Sequence, residues 1–68
     1  PMKTCFTTNI AGYDITLNQR GRDSFGVRYG KQYKAGLNYS DAATELGSCI
    51  MHALACESKL DNRHRGEK

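Results

Sequence analysis

Only one stretch of this sequence, Ser40 to Asp61, has both the length and the period of a helix. Everything before it alternates like short strands. That leaves few architectures, because a lone helix must bury its apolar stripe against the sheet those strands build. Ser40 reads as the N-cap, its hydroxyl accepting a bond from a first-turn N–H. Asp41 adds a negative charge at the positive end of the helix dipole. At about 100° per residue, Ala42, Leu46, Cys49, Ala53, Cys56 and Leu60 share one stripe, which Ala43, Ile50 and Leu54 widen. Thr44, Ser48, Met51, Ala55, Ser58 and Lys59 face away. Gly47 costs about 1 kcal/mol against Ala at an exposed site. With Ala42, Ala43, Cys49 and Ala53 it lets the helix lie close to a sheet.

The strands follow from period-two alternation. Thr4 to Ile10 is β-branched and aromatic, with Phe6, Thr8 and Ile10 on one parity. Ala11-Gly12 is a two-residue turn, and Tyr13, Ile15 and Leu17 then alternate inward. Ile10 opposite Tyr13 puts both apolar sets on one side of the sheet. Asn18 to Ser24 is polar, contains Gly21 and reads as a loop carrying Arg20 and Arg22. Phe25, Val27 and Tyr29 mark a third strand. Either Gly30-Lys31-Gln32 turns the chain into a fourth strand with Tyr33, Ala35 and Leu37 inward, or one long strand continues past a bulge at Gly30.

The fold class is therefore α+β: an antiparallel three- to four-stranded meander, then one C-terminal helix packed on one face. The expected core is Phe6, Ile10, Ile15, Leu17, Phe25, Val27 and Leu37 from the sheet, with Leu46, Cys49, Ile50, Ala53 and Leu54 from the helix. The other sheet face shows Thr7, Asn9, Asp14, Thr16, Asn18, Gly26, Arg28 and Lys34. It is polar, with no second helix to cover it. Residues 2–61 form the expected single domain and residues 62–68 a basic tail without apolar residues. Pro1 before Met2 reads as the remnant of a protease site.

A chain of 68 residues buries only about 60% of its unfolded surface, so dimerisation would help it. No apolar run approaches the roughly 20 residues that span a bilayer. Nothing resembles a signal peptide, and a cytoplasmic location is expected. The net charge is +3, with ten basic residues interspersed among seven acidic ones. That permits nucleic-acid binding without requiring it. Three cysteines argue against a closed disulfide framework. Cys49 and Cys56 lie about 10 Å apart along a helix, beyond disulfide reach. A bridge from Cys5 to either stays open.

Cys49, His52 and Cys56 form the one metal-like run, with Cys5 and His64 elsewhere. Zinc needs ligands converging at about 2.0–2.3 Å, and residues seven apart on a straight helix do not converge. No Gly-rich phosphate loop precedes a helix, and a Cys/His nucleophile needs an exposed, activated thiol. No catalytic residue, metal or other cofactor is expected. The remaining chemistry is basic. Arg20, Arg22, Arg28, Lys31 and Lys34 come from the loop and the third and fourth strands, extended by Arg63 and Arg65, with Tyr29 and Tyr33 nearby. Basic side chains beside aromatics suit a single-stranded nucleic acid.

Strands followed by a helix resemble the end of a double-stranded-RNA-binding domain. That family starts its last helix with phosphate-gripping lysines, whereas the matching stretch Tyr39 to Ala43 holds Asp41 and no lysine. Asn38 to Ala43, a capped Ala-rich helix start after a polar turn, is similar to HicB-type antitoxins, although their acidic strand and Pro-Gly-Cys turn are absent. As a class, a very short, motif-free strand-and-helix chain of mixed charge resembles phage and prophage accessory proteins of the anti-CRISPR or anti-restriction type. That resemblance implies a non-enzymatic inhibitor of a host protein or ribonucleoprotein complex, acting in host defence evasion. The expected contact residues are Arg20, Arg22, Asp23, Arg28, Lys31 and Lys34, with Met51 as an exposed apolar contact. The alternatives are a small nucleic-acid-binding regulator or a HicB-like antitoxin. A homodimer through the uncovered sheet face or an edge strand is compatible with each.

Overall fold

In the computed structural model, which describes residues 2–60, turn chemistry sets the sheet. Ala11 and Gly12 both take positive φ, 56° and 84°, as a type I′ hairpin turn requires. The turn joins β1 (Lys3–Ile10) to β2 (Tyr13–Gly21), with Ile10 opposite Tyr13. Arg22-Asp23 joins β2 to β3 (Ser24–Tyr29). Gly30-Lys31, with Gly30 at φ 61°, joins β3 to β4 (Gln32–Leu37), where Tyr29 opposes Gln32. The four strands are antiparallel in the order β1-β2-β3-β4. One helix, α1 (Tyr39–Cys56), packs on one face. The fold is the α+β meander with a C-terminal helix, in its four-stranded form.

The stretch expected to be a loop, Asn18 to Ser24, is mostly strand. Asn18 pairs with Gly26, Gln19 with Phe25 and Gly21 with Ser24, with a bulge after Gln19. Ladder hydrogen bonds need no apolar side chains, and here one sheet face is polar by design.

β4 corrects the expected facing of three side chains, Tyr33, Lys34 and Ala35, the last of which was expected inward but is exposed and borders the open face beside Tyr33. A register shift between Phe25 and Val27 puts Leu37 opposite Phe25, but Tyr33 opposite Arg28 and Lys34 opposite Val27. Tyr33 therefore lies on the open face, not in the core. Lys34 lies on the helix side, where its Nζ is 3.3 Å from Glu45. An extra residue in a strand reverses parity beyond it, which period-two alternation alone does not reveal.

The helix is capped by Asn38 and not by Ser40. The Asn38 side chain accepts the Asp41 N–H at 2.8 Å, and its carbonyl accepts the Ala42 N–H at 2.8 Å. Nor does the helix reach Asp61. It ends at Cys56, with Ser58 in the left-handed region at φ 61°. Ser58 N–H donates to Ala55 and Lys59 N–H to Leu54, which is the Schellman arrangement. Leu60 fits the helical period but lies past this stop. The expected tail at 62–68, Asp61 and Pro1 lie outside the described residues.

The core is Ile15, Val27, Ala42, Cys49 and Ala53, against which Ile10, Leu17, Phe25, Tyr29, Leu37, Leu46 and Ile50 pack. Phe6, expected inside, is 43% exposed, and Cys56 is exposed. Phe6 does face the helix side, opposite Leu17. However, α1 crosses the sheet diagonally. It starts at the β2–β3 turn, where Tyr39 N–H donates to Asp23 at 2.8 Å. It ends at the β1–β2 turn, where Glu57 accepts the Ala11 N–H. Among the described residues, nothing covers the corner that holds Phe6. Among the described residues, no helix is long and apolar enough to cross a membrane.

Candidate partner-binding face

The sheet face opposite α1 is built in rows. Thr7, Thr16, Arg28 and Tyr33 follow one another across β1 to β4. In the next row Thr4 opposes Asn18 and Asn18 opposes Gly26. Most polar groups of β1 and β2 are satisfied pairwise: the Thr7 and Thr16 hydroxyls lie 3.0 Å apart, Thr4 donates to Asn18 at 3.2 Å and Asn9 donates to Asp14 at 2.8 Å. This half of the face is a closed hydrogen-bonded surface.

The half over β3 and β4 is different. Tyr33 lies across Gly26, and a Cβ there would come within 2.3 Å of the tyrosine hydroxyl. The glycine is what lets the ring lie flat. The Arg28 guanidinium carbon stands 5.0 Å from the ring centroid, a cation–π distance. On the other side of Tyr33 is a shallow concavity of about 80 Å³, bordered by Met2, Asn18, Arg20, Gly26 and Ala35. Asn18 is buried, with 8% exposure, so it forms part of the floor. Arg20 and Arg28 thus bracket a flat tyrosine, the first beside the concavity and the second over the ring.

The seven expected contact residues do not form one patch. Arg20 and Arg28 share the open face. Arg22 and Asp23 occupy the β2–β3 turn, and Asp23 is engaged with the first turn of α1. Lys31 sits in the β3–β4 turn at the opposite end of the sheet. Lys34 is on the helix side, bound to Glu45. Met51, 60% exposed, is on α1, away from the sheet. Of the two tyrosines expected beside the basic residues, Tyr33 is there and Tyr29 is not. Tyr29 stands on the helix side, 5.0 Å from the Tyr13 ring, and its hydroxyl is hydrogen-bonded to His52 Nδ1. Arg63 and Arg65 lie outside the described residues. Tyr33 and Asn18 were not among the expected contacts. The signal for Tyr33 was the bare Gly26 in mid-strand, since a glycine there marks close approach of another group.

The thiols are all free, with Cys49 buried and Cys5 and Cys56 exposed. Burial pushes the Cys49 thiol up, and the Glu45 carboxylate adds to this while Lys34 opposes it. Burial also raises the Tyr29 phenol, with lesser contributions from Cys56, Tyr13 and Cys49. Cys56 Sγ lies 4.0 Å from His52 Nδ1, the same nitrogen the Tyr29 hydroxyl occupies. Among the described residues no three His, Cys, Asp or Glu side chains gather as a metal site would need.

Comparison with protein-family models, with curated proteins and with solved structures returns no match to this chain.

Proposed function

We propose that this protein works by binding and not by catalysis, and that the open sheet face is its contact surface. In this reading it inhibits or modulates a host protein or ribonucleoprotein complex, as phage-encoded anti-defence proteins of the anti-CRISPR kind do. The observation that carries the reading is the uncovered face itself, where Arg20 and Arg28 flank a tyrosine laid flat over Gly26. Arginine and tyrosine are the side chains that most often anchor protein interfaces. Arg28 is already held over a ring, so little side-chain freedom is lost on contact. Two further facts favour binding. The Cys49 thiol is turned inward and raised by burial. The His52 nitrogen nearest Cys56 is engaged by Tyr29.

Direct nucleic-acid binding is the second reading, favoured by Arg28 and Tyr33 lying together. It has lost one of its two aromatics, because Tyr29 is on the opposite side. A salt titration with single-stranded RNA and DNA separates the two. Phosphate-driven binding weakens steeply as salt rises. The protein-binding reading expects no complex with free oligonucleotides at low salt and a host complex still recovered at raised salt. Tight oligonucleotide binding with a steep salt slope, and loss of the host complex over the same salt range, would replace it with the nucleic-acid reading.

A further inference from the structure

The two edges of the sheet differ. β4 is shielded in the usual ways: it carries Lys34, follows Lys31, breaks register against β3, and has Gly36 in the left-handed region at φ 70°. β1 is not. Lys3 is its one charge. Beyond the bulge that separates Thr4 from Phe6, the five residues Phe6 to Ile10 run in unbroken register against Tyr13 to Leu17. These five carry no charge and no proline. Beside them Phe6 is 43% exposed on the corner that α1 leaves bare. An unpaired row of backbone donors and acceptors is recognised by another extended strand.

We propose that β1 pairs antiparallel with β1 of a second copy, centred on Thr8, fusing two four-stranded sheets into one of eight. The register follows from parity. A two-fold axis perpendicular to the sheet keeps each side chain on its own face, so a residue can oppose only one of the same facing. A centre at Phe6 runs into the bulge, and a centre at Asn9 leaves Phe6 opposite no strand residue. The Thr8 centre uses the whole regular segment. It sets Phe6 opposite Ile10 of the partner subunit on the helix side, and Thr7 opposite Asn9 of the partner subunit on the open face. Apolar meets apolar and polar meets polar, the pairing that stabilises sheets. Because α1 ends over the β1–β2 turn, and Ile10 packs against the core, Phe6 of each copy would extend the core of the other. The open face becomes continuous across both copies, with two Arg20–Arg28 sets.

Sedimentation and light scattering from micromolar to millimolar protein test this. A dimer is expected, and Phe6→Lys, at a half-exposed site, raises its dissociation constant at least about tenfold. Met51→Lys on the outer helix face leaves it unchanged. Opposed residues have Cα atoms about 4.5–5.5 Å apart, within disulfide range. In a Cys5→Ser/Cys56→Ser background, Thr8→Cys therefore crosslinks two copies under mild oxidation, and Thr7→Cys does not. A monomer at every concentration overturns the proposal, and so does a dimer indifferent to Phe6→Lys. Crosslinking through Thr7→Cys instead of Thr8→Cys overturns the register.

Discussion

At two positions the presence or absence of a Cβ decides the local structure. Ala11 sits at φ 56°, where a Cβ costs roughly 1–2 kcal/mol. It stays because Gly12 and the Glu57 carboxylate hold the turn. Ala11→Gly at this site raises the unfolding free energy by about 0.5–1 kcal/mol in a denaturant melt, because the strain relieved exceeds the added chain entropy. Gly26 is the converse case. Gly26→Ala drives the Tyr33 ring off β3 and takes Arg28 with it. Since Tyr33 is exposed and can swing, the stability cost is small, about 1 kcal/mol. A double-mutant cycle isolates the cause: in the Tyr33→Ala background the same substitution costs almost nothing.

At the scale of elements, the helix start is tied to the end of the sheet that holds the β2–β3 turn. Asn38 caps its own helix, and Asp23 reaches from the β2–β3 turn to the first helical N–H. Asn38→Ala and Asp23→Ala each lower unfolding free energy by about 1 kcal/mol, read as a shift in urea midpoint. Asp23 thus has a structural task, and loss of partner binding in its variant must be judged against that of Arg22→Ala. The helix also sets the alkaline limit. The Cys49 thiol and the Tyr29 phenol are both raised by burial, so the unfolded chain ionises before the fold does. Stability is level below the unfolded values, then falls as pH rises past about 8.5 for the thiol and about 10 for the phenol. In melts across pH 8–10, Cys49→Ala removes the first part of that fall.

How much of this was legible in the sequence depends on the element. The meander, the Ala11-Gly12 turn and the central stripe of Ala42, Cys49 and Ala53 follow from period and turn chemistry. The faces of Tyr33 and Lys34 do not, because a bulge reverses parity without changing composition. Phe6 was misplaced for a different reason: its parity was right, but the diagonal path of α1 is a tertiary fact. Asn38 precedes Ser40 as cap because the hydrogen-bond pattern of the first turn, and not residue type, chooses between two good caps. Of the contact residues, Arg28 was legible as a polar-face position, whereas Arg20 was read as a loop residue and lies in β2, and the facing of the Tyr33 between them was not legible.

Among the described residues the molecule is a thin sheet with one side committed to a helix and the other open, and we propose that a partner takes the open side. That division is the central claim, and it separates the basic residues by face. Arg20 and Arg28 belong to the open side, while Lys34 and Met51 belong to the helix side. The most direct measurement is quantitative recovery of a host complex by tagged protein in two double variants whose melts match the wild type. Arg20→Ala/Arg28→Ala should reduce recovery at least about tenfold, as loss of anchoring arginines does, and Lys34→Ala/Met51→Ala should stay within about twofold. Equal loss in both, or loss confined to the helix-side pair, would contradict the account.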